Sequence, residues 1–191
     1  MFFVKNIFST TYEIKKSKFI SYLFPYSEFN SILTKLKNEN PKARHFVSAF
    51  RYLNEFGQIV ERGNDDGEPK GTSGKPTLNV LKGSDLINIG IITVRYFGGI
   101  KLGTGGLVKA YSDSTNLVIS NSTLEKYIKL EKMEISIPYS EISKLEYHLA
   151  KLEIKIVSKN FDEVGGIFII EGENQNLLEL RKIGVNYEIK S

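Results

Sequence analysis

The spacing of apolar positions changes period along this chain of 191 residues, and each change predicts an element. Residues 86–94 are apolar and rich in β-branched side chains, which predicts a strand buried on both faces. Five glycines follow within nine residues, at Gly98, Gly99, Gly103, Gly105 and Gly106. The period then becomes helical: Leu107, Ala110, Tyr111, Ser114, Leu117 and Val118 share one face of a helix expected to run to about Ser120. Thr104 is the expected N-cap of that helix.

Upstream, residues 11–14 and 18–24 read as short strands joined by the basic run Lys15-Lys-Ser-Lys18, and Pro25 ends the second. Ser27 is placed to cap a helix whose apolar face is Phe29, Ile32, Leu33 and Leu36 and which ends before Pro41. Residues 45–53 and 58–62 predict a hairpin around the turn 54–57. The stretch 63–76 is too polar and glycine-rich for a strand or a helix until Ser73, which is read as the cap of a helix over 74–82. Pro76 is tolerated in that first turn, and Leu78 and Leu81 face the core.

After a polar link at 121–126 the order of elements changes. Strand 128–138 is followed by helix 141–151, with Ile142, Leu145 and Leu149 inward and Tyr147 at the margin of that face. Strands 154–159 and 166–171, helix 174–183 and strand 185–189 complete a β-α-β-β-α-β series. That series is the order of a ferredoxin-like sandwich. The expected fold class is therefore α+β, with one domain over residues 1–124 and a second over 125–191.

Composition narrows the function. Hydrophobic residues make up 41% and charged residues 25%, an ordinary globular balance. No stretch approaches the roughly 20 apolar residues of a membrane span, and the first eight residues lack the apolar core of a signal peptide. Cysteine is absent, so disulfides, thiol nucleophiles and thiolate metal sites are excluded. A cytoplasmic location is expected. Net charge is +4, unevenly spread: 17 Lys+Arg against 11 Asp+Glu through Ile128, and 9 against 11 afterwards. A basic first part suits an acidic partner such as RNA.

Twelve of the 16 glycines lie between Gly57 and Gly106, which suggests that the two glycine-dense loops form one site. A helix start offers unpaired N–H groups, and glycine lets a ligand approach them. A phosphate-like anion near Thr104 is the expected occupant. Arg95, Gly98, Gly99, Lys101, Gly103, Thr104, Gly105, Gly106 and Lys109 would hold it, with Lys75, Thr72 and Ser73 from the other loop and Arg44 and His45 at the flank. The bland alternative is that the glycines only make tight turns. Gly103-Thr-Gly-Gly-Leu-Val fails the dinucleotide pattern at its last position, and no Walker-type loop is present.

Asp65, Asp66 and Glu68 could bind a hard cation such as Mg²⁺. The favoured alternative is that the aspartates make turn hydrogen bonds while Glu68 pairs with Arg62, Arg95 or Lys101. No other cofactor is implied. His45 opens a strand, and His148 reads as a surface residue. Alternation at the end of the buried strand puts Phe97 in the core and leaves Tyr96 open.

Asp65-Asp-Gly-Glu-Pro-Lys-Gly-Thr-Ser-Gly-Lys-Pro76 and Arg95-Tyr-Phe-Gly-Gly-Ile-Lys-Leu-Gly-Thr-Gly-Gly-Leu-Val-Lys-Ala-Tyr-Ser112 resemble the two signature segments of the IMPACT (YigZ) family. Ala43-Arg-His45 is similar to its upstream motif, although the cysteine that usually follows is absent. The resemblance implies a first domain similar to ribosomal proteins and to the fourth domain of elongation factor G. It implies a second, ferredoxin-like domain similar to the fifth domain of that factor. The function it implies is a translation-related protein that binds RNA or the ribosome. A hydrolase or transferase acting on a small anionic or phosphorylated substrate is the first alternative, and a protein-interaction module the second.

Overall fold

A computed structural model describes residues 1–183 and the strand at 188–190. The first eight elements are strands β1 (Phe2–Phe3), β2 (Phe8–Ile14) and β3 (Ser17–Pro25), helix α1 (Phe29–Glu39), strands β4 (His45–Leu53) and β5 (Ile59–Asn64), helix α2 (Gly74–Gly83) and strand β6 (Ile89–Tyr96). Helix α3 (Gly103–Ser120) and the short strand β7 (Glu125–Lys126) follow. Strands β2-β3-β6-β4-β5 form one sheet in that order, antiparallel throughout.

The central strand β6 is buried along seven of its eight residues because helices cover both faces of the sheet. On one face, Ile32 and Leu36 of α1 pack with Phe24, Phe46, Ile92 and Val94. On the other, α2 and α3 supply Leu81 and Val118 against Leu23, Ala49, Ile89 and Ile91, and Leu107, Ala110 and Tyr111 against Phe19 and Val47. Ser114, on the apolar stripe of α3, is no packing fault. Its hydroxyl is 2.6 Å from Ser21 Oγ, which is 2.7 Å from Thr93 Oγ1, so a buried polar chain ties helix to sheet.

The expected α1 face, hairpins and glycine-loop helices are present, but several ends differ. Ser27 lies in a 3₁₀ turn, Tyr26–Glu28, and makes no cap; α1 starts at Phe29. The strand expected from residue 86 begins at Ile89. Leu86 and Ile87 are buried instead by the N-terminal residues, with the Ile87 N–H donating to the Phe2 carbonyl at 2.8 Å. Asn88, at φ +55°, then turns the chain into β6. The β2–β3 connection is a two-residue turn, Lys15 (φ +46°) and Lys16 (φ +64°). Such mirror-image turns usually recruit Asn-Gly, so lysines gave no sequence signal for it.

Contacts divide the chain after Tyr127. Strand β7 belongs to the first unit, where it pairs with β1. The second unit holds strand β8 (Leu130–Pro138), helix α4 (Ile142–Lys151), strands β9 (Lys155–Phe161) and β10 (Gly165–Glu173), helix α5 (Asn174–Lys182) and strand β11 (Glu188–Lys190). Its antiparallel sheet runs β11-β8-β10-β9. Ile135, Phe168 and Ile170 pack beneath Leu145 and Leu149 of α4 and Leu177 and Leu180 of α5. Tyr147 faces outward, 62% exposed, and His148 is half-buried. Part of the expected last strand, residues 185–187, lies outside the described residues. The class is mixed α/β, with antiparallel sheets and five α-helices among the described residues.

Candidate functional site

The loop at residues 65–73 is built around its acids. The Asp65 carboxylate accepts from the Gly71 N–H (2.7 Å), the Ser73 N–H (3.1 Å), the Ser73 hydroxyl (2.7 Å) and the Gly74 N–H (2.8 Å). Ser73 therefore donates to Asp65 instead of capping α2, and Asp65 takes the capping role from eight residues upstream. Burial pushes the Asp65 carboxyl up, but these hydrogen bonds outweigh it and hold it below the usual carboxylate range. Asp66, at φ +45°, accepts from the Phe46 N–H at 2.6 Å through Oδ2. Thr72 is buried and donates to the Pro69 carbonyl.

Glu68 reaches into the protein. Its Oε1 accepts from Arg95 Nη1 at 2.5 Å and from the Tyr111 hydroxyl at 2.8 Å. Glu68 and Arg95 side chains are 3% and 7% exposed. Burial first, then the Glu68 charge and hydrogen bond, push the Tyr111 phenol well up. Of the three partners open to Glu68, the structure selects Arg95. Arg95 Nε is buried without a hydrogen-bond partner. His45 pairs with Arg95 across β4 and β6. Its Nδ1 lies 2.9 Å from the Asp66 carbonyl, which can only accept, so that nitrogen carries a proton.

All three acids thus accept hydrogen bonds from the chain itself. Among the described residues, no three or more His, Asp and Glu side chains gather into a metal-binding group.

The second glycine segment behaves differently. Leu102 holds the cap position of α3 and offers no side-chain acceptor. Thr104 is thus not the cap; it lies inside the first turn and is exposed. The chain enters the helix through Gly103 at φ +75°, leaving the threonine no extended backbone from which to cap. The glycines divide into two kinds. A β-carbon on Gly98 would sit 2.0 Å from the Lys16 carbonyl carbon, and on Gly63 or Gly74 it would strike the other's strand or helix backbone. These three permit backbone contact. Around Gly99, Gly103 and Gly105 there is open space, while Gly106 abuts Leu102.

The cations also separate. Lys101, Lys75 and Arg44 are exposed and have no hydrogen bond or ion pair among the described residues. Lys109 is paired with Asp113 at 3.0 Å. Lys75 borders a shallow groove of about 460 Å³ between α2 and α3, together with Asn79, Val108 and Ser112. Sequence reasoning missed Tyr111 as a partner of Glu68, since a tyrosine on an apolar helical stripe reads as core. It also put Phe97 in the core, whereas the structure leaves that ring 54% exposed. Strand β6 ends at Tyr96, so alternation no longer applies one residue later. Tyr96 turns to the α1 side and donates to Asn40 at 2.8 Å.

Residues 15–119 match the Impact N-terminal domain family. An "IMPACT family member" of Haemophilus influenzae is 36% identical over 172 residues, covering 87% of this chain and 82% of that protein. "IMPACT family member YigZ" of Escherichia coli is 35% identical over 152 residues, covering 78% and 74%. "IMPACT family member YvyE" of Bacillus subtilis is 34% identical over 153 residues, covering 78% and 70%. A crystal structure of a hypothetical protein superposes over all of this chain and 96% of its own, with a TM-score of 0.68 and 27% identity. With both signature loops inside the matched region, the chain belongs to the IMPACT family.

Proposed function

We propose that this protein acts in translation by binding RNA or the ribosome, and that the start of α3 is its phosphate contact. One observation carries this reading. The first turn of α3 is exposed and lacks a side-chain cap, and the unpaired Lys101 precedes it. Free amides with a nearby cation suit a phosphate oxygen. Lys75 and Arg44 add exposed charge. The family resemblance implies units similar to the fourth and fifth domains of elongation factor G, and that implied likeness would favour a ribosomal partner by analogy of fold alone. Filter binding to ribosomes and to structured RNA over a salt series tests the reading. Affinity should fall steeply with salt, and Lys101→Ala together with Lys75→Ala should flatten the slope. No binding at low salt refutes it.

A second reading, a hydrolase or transferase on a small anionic substrate, is favoured by the unpartnered Arg95 Nε beside His45. Turnover of a phosphorylated metabolite that disappears in His45→Gln, with RNA affinity unchanged, would select it.

A further inference from the structure

We infer that the nucleic acid held by this surface is single-stranded, with one base stacked on Phe97 and its flanking phosphates on Lys15, Lys16 and Lys101. The inference rests on the RNA-binding reading and adds the strandedness of the ligand. Phe97 opens the glycine segment, and its ring is 54% exposed. The Arg95 guanidinium lies 5.9 Å from the ring centroid and is itself fixed by Glu68, so the ring is backed by a buried cation. Ile100, three residues on in the same loop, is also an exposed apolar side chain, at 46%.

The lysines come from a different part of the sequence. Gly98 has no side chain, so the Lys16–Ser17 backbone lies directly against it. The Gly98 N–H donates to Ser17 Oγ at 3.2 Å. The tip of the β2–β3 hairpin is thereby clamped to the segment that carries Phe97 and Lys101. Lys15, Lys16 and Lys101 are exposed and have no ion pair among the described residues. Lys18 faces Glu13 across the hairpin and is left out of the site for that reason.

An exposed aromatic among unpaired lysines is the chemistry of a stacking platform for unpaired bases. A duplex keeps its bases stacked on one another and offers such a ring only its backbone. One ring with no hydrogen-bonding group on its face cannot discriminate sequence strongly, so the site should accept many single strands.

The test is fluorescence anisotropy with a labelled oligouridine of about 12 nucleotides, its oligothymidine counterpart and a blunt RNA duplex of equal length. The full chain should prefer the single strands at equal salt. Phe97→Ala should weaken single-strand binding about tenfold and leave duplex binding unchanged, while Phe97→Tyr restores it. Lys15→Ala with Lys16→Ala should lower the salt slope by roughly one to two. Circular dichroism melts confirm that each variant is folded. Equal single-strand affinity for the Phe97→Ala and parent proteins overturns the inference while leaving RNA binding intact. No affinity for any nucleic acid overturns both, and capture of an acidic protein at this patch then takes their place.

Discussion

At the scale of single residues, the acidic loop separates structural charge from available charge. Among the described residues, Glu68 is the acceptor that holds the Arg95 guanidinium, and both side chains are buried. Removing it leaves a guanidinium uncompensated in the core, so Glu68→Ala should cost about 3–5 kcal/mol in urea denaturation. Tyr111→Phe removes one donor to the same oxygen and should cost about 1 kcal/mol. Comparable losses in the two variants would mean that the ion pair is not what holds the loop down. Asp65 has a lowered folded pKa, so its contribution is present above the unfolded value and lost as pH falls through the folded one. Asp65→Asn should therefore destabilise at neutral pH, by about 1–2 kcal/mol as for a lost helix cap. Stability of that variant should also fall less steeply below about pH 4 than in the parent, as urea midpoints across pH would show.

At the scale of elements, what could be read from sequence was what local pattern encodes. The apolar run before Gly98, the helical stripe from Leu107 and the acidic loop that follows β5 were all legible. Helix caps were not. The residue that caps α2 lies across a closed loop, and no local rule points from Ser73 back to Asp65. Nor does a glycine announce whether it serves a neighbour or a ligand. Gly98→Ala should separate the β2–β3 hairpin from the glycine segment. Heteronuclear NMR should show shifts in Lys16 and Ser17 together with a lower melting temperature. Gly105→Ala meets open space within a helix and should leave both unchanged or slightly raise stability. If Gly98→Ala were as silent as Gly105→Ala, the proposed clamp between hairpin and loop would be untenable.

For the whole molecule, the first unit carries the basic excess and both signature loops, and its boundary is set by β7. The Tyr127 N–H donates to the Met1 carbonyl at 2.9 Å, and the Tyr127 ring meets Phe3 edge-on at 6.5 Å. A fragment of residues 1–127 should thus unfold cooperatively and keep whatever salt-dependent RNA affinity the full chain has, if the proposed phosphate contact at α3 is its source. A fragment ending at 121 leaves β1 without its partner strand and should melt several degrees lower. Equal melting temperatures would show that the β1–β7 pair adds nothing to this unit.

The Asp65 cap has a consequence for how the molecule chooses its guests. Two helices on one side of the sheet begin in glycine-rich sequence, yet one of them carries a tethered carboxylate at its head. That resident anion competes at the effective concentration of a covalently attached group, which a free phosphate in solution does not match. The α2 doorway is thereby shut from within, which leaves the start of α3, where no side chain stands guard, as the place for the phosphate contact proposed above.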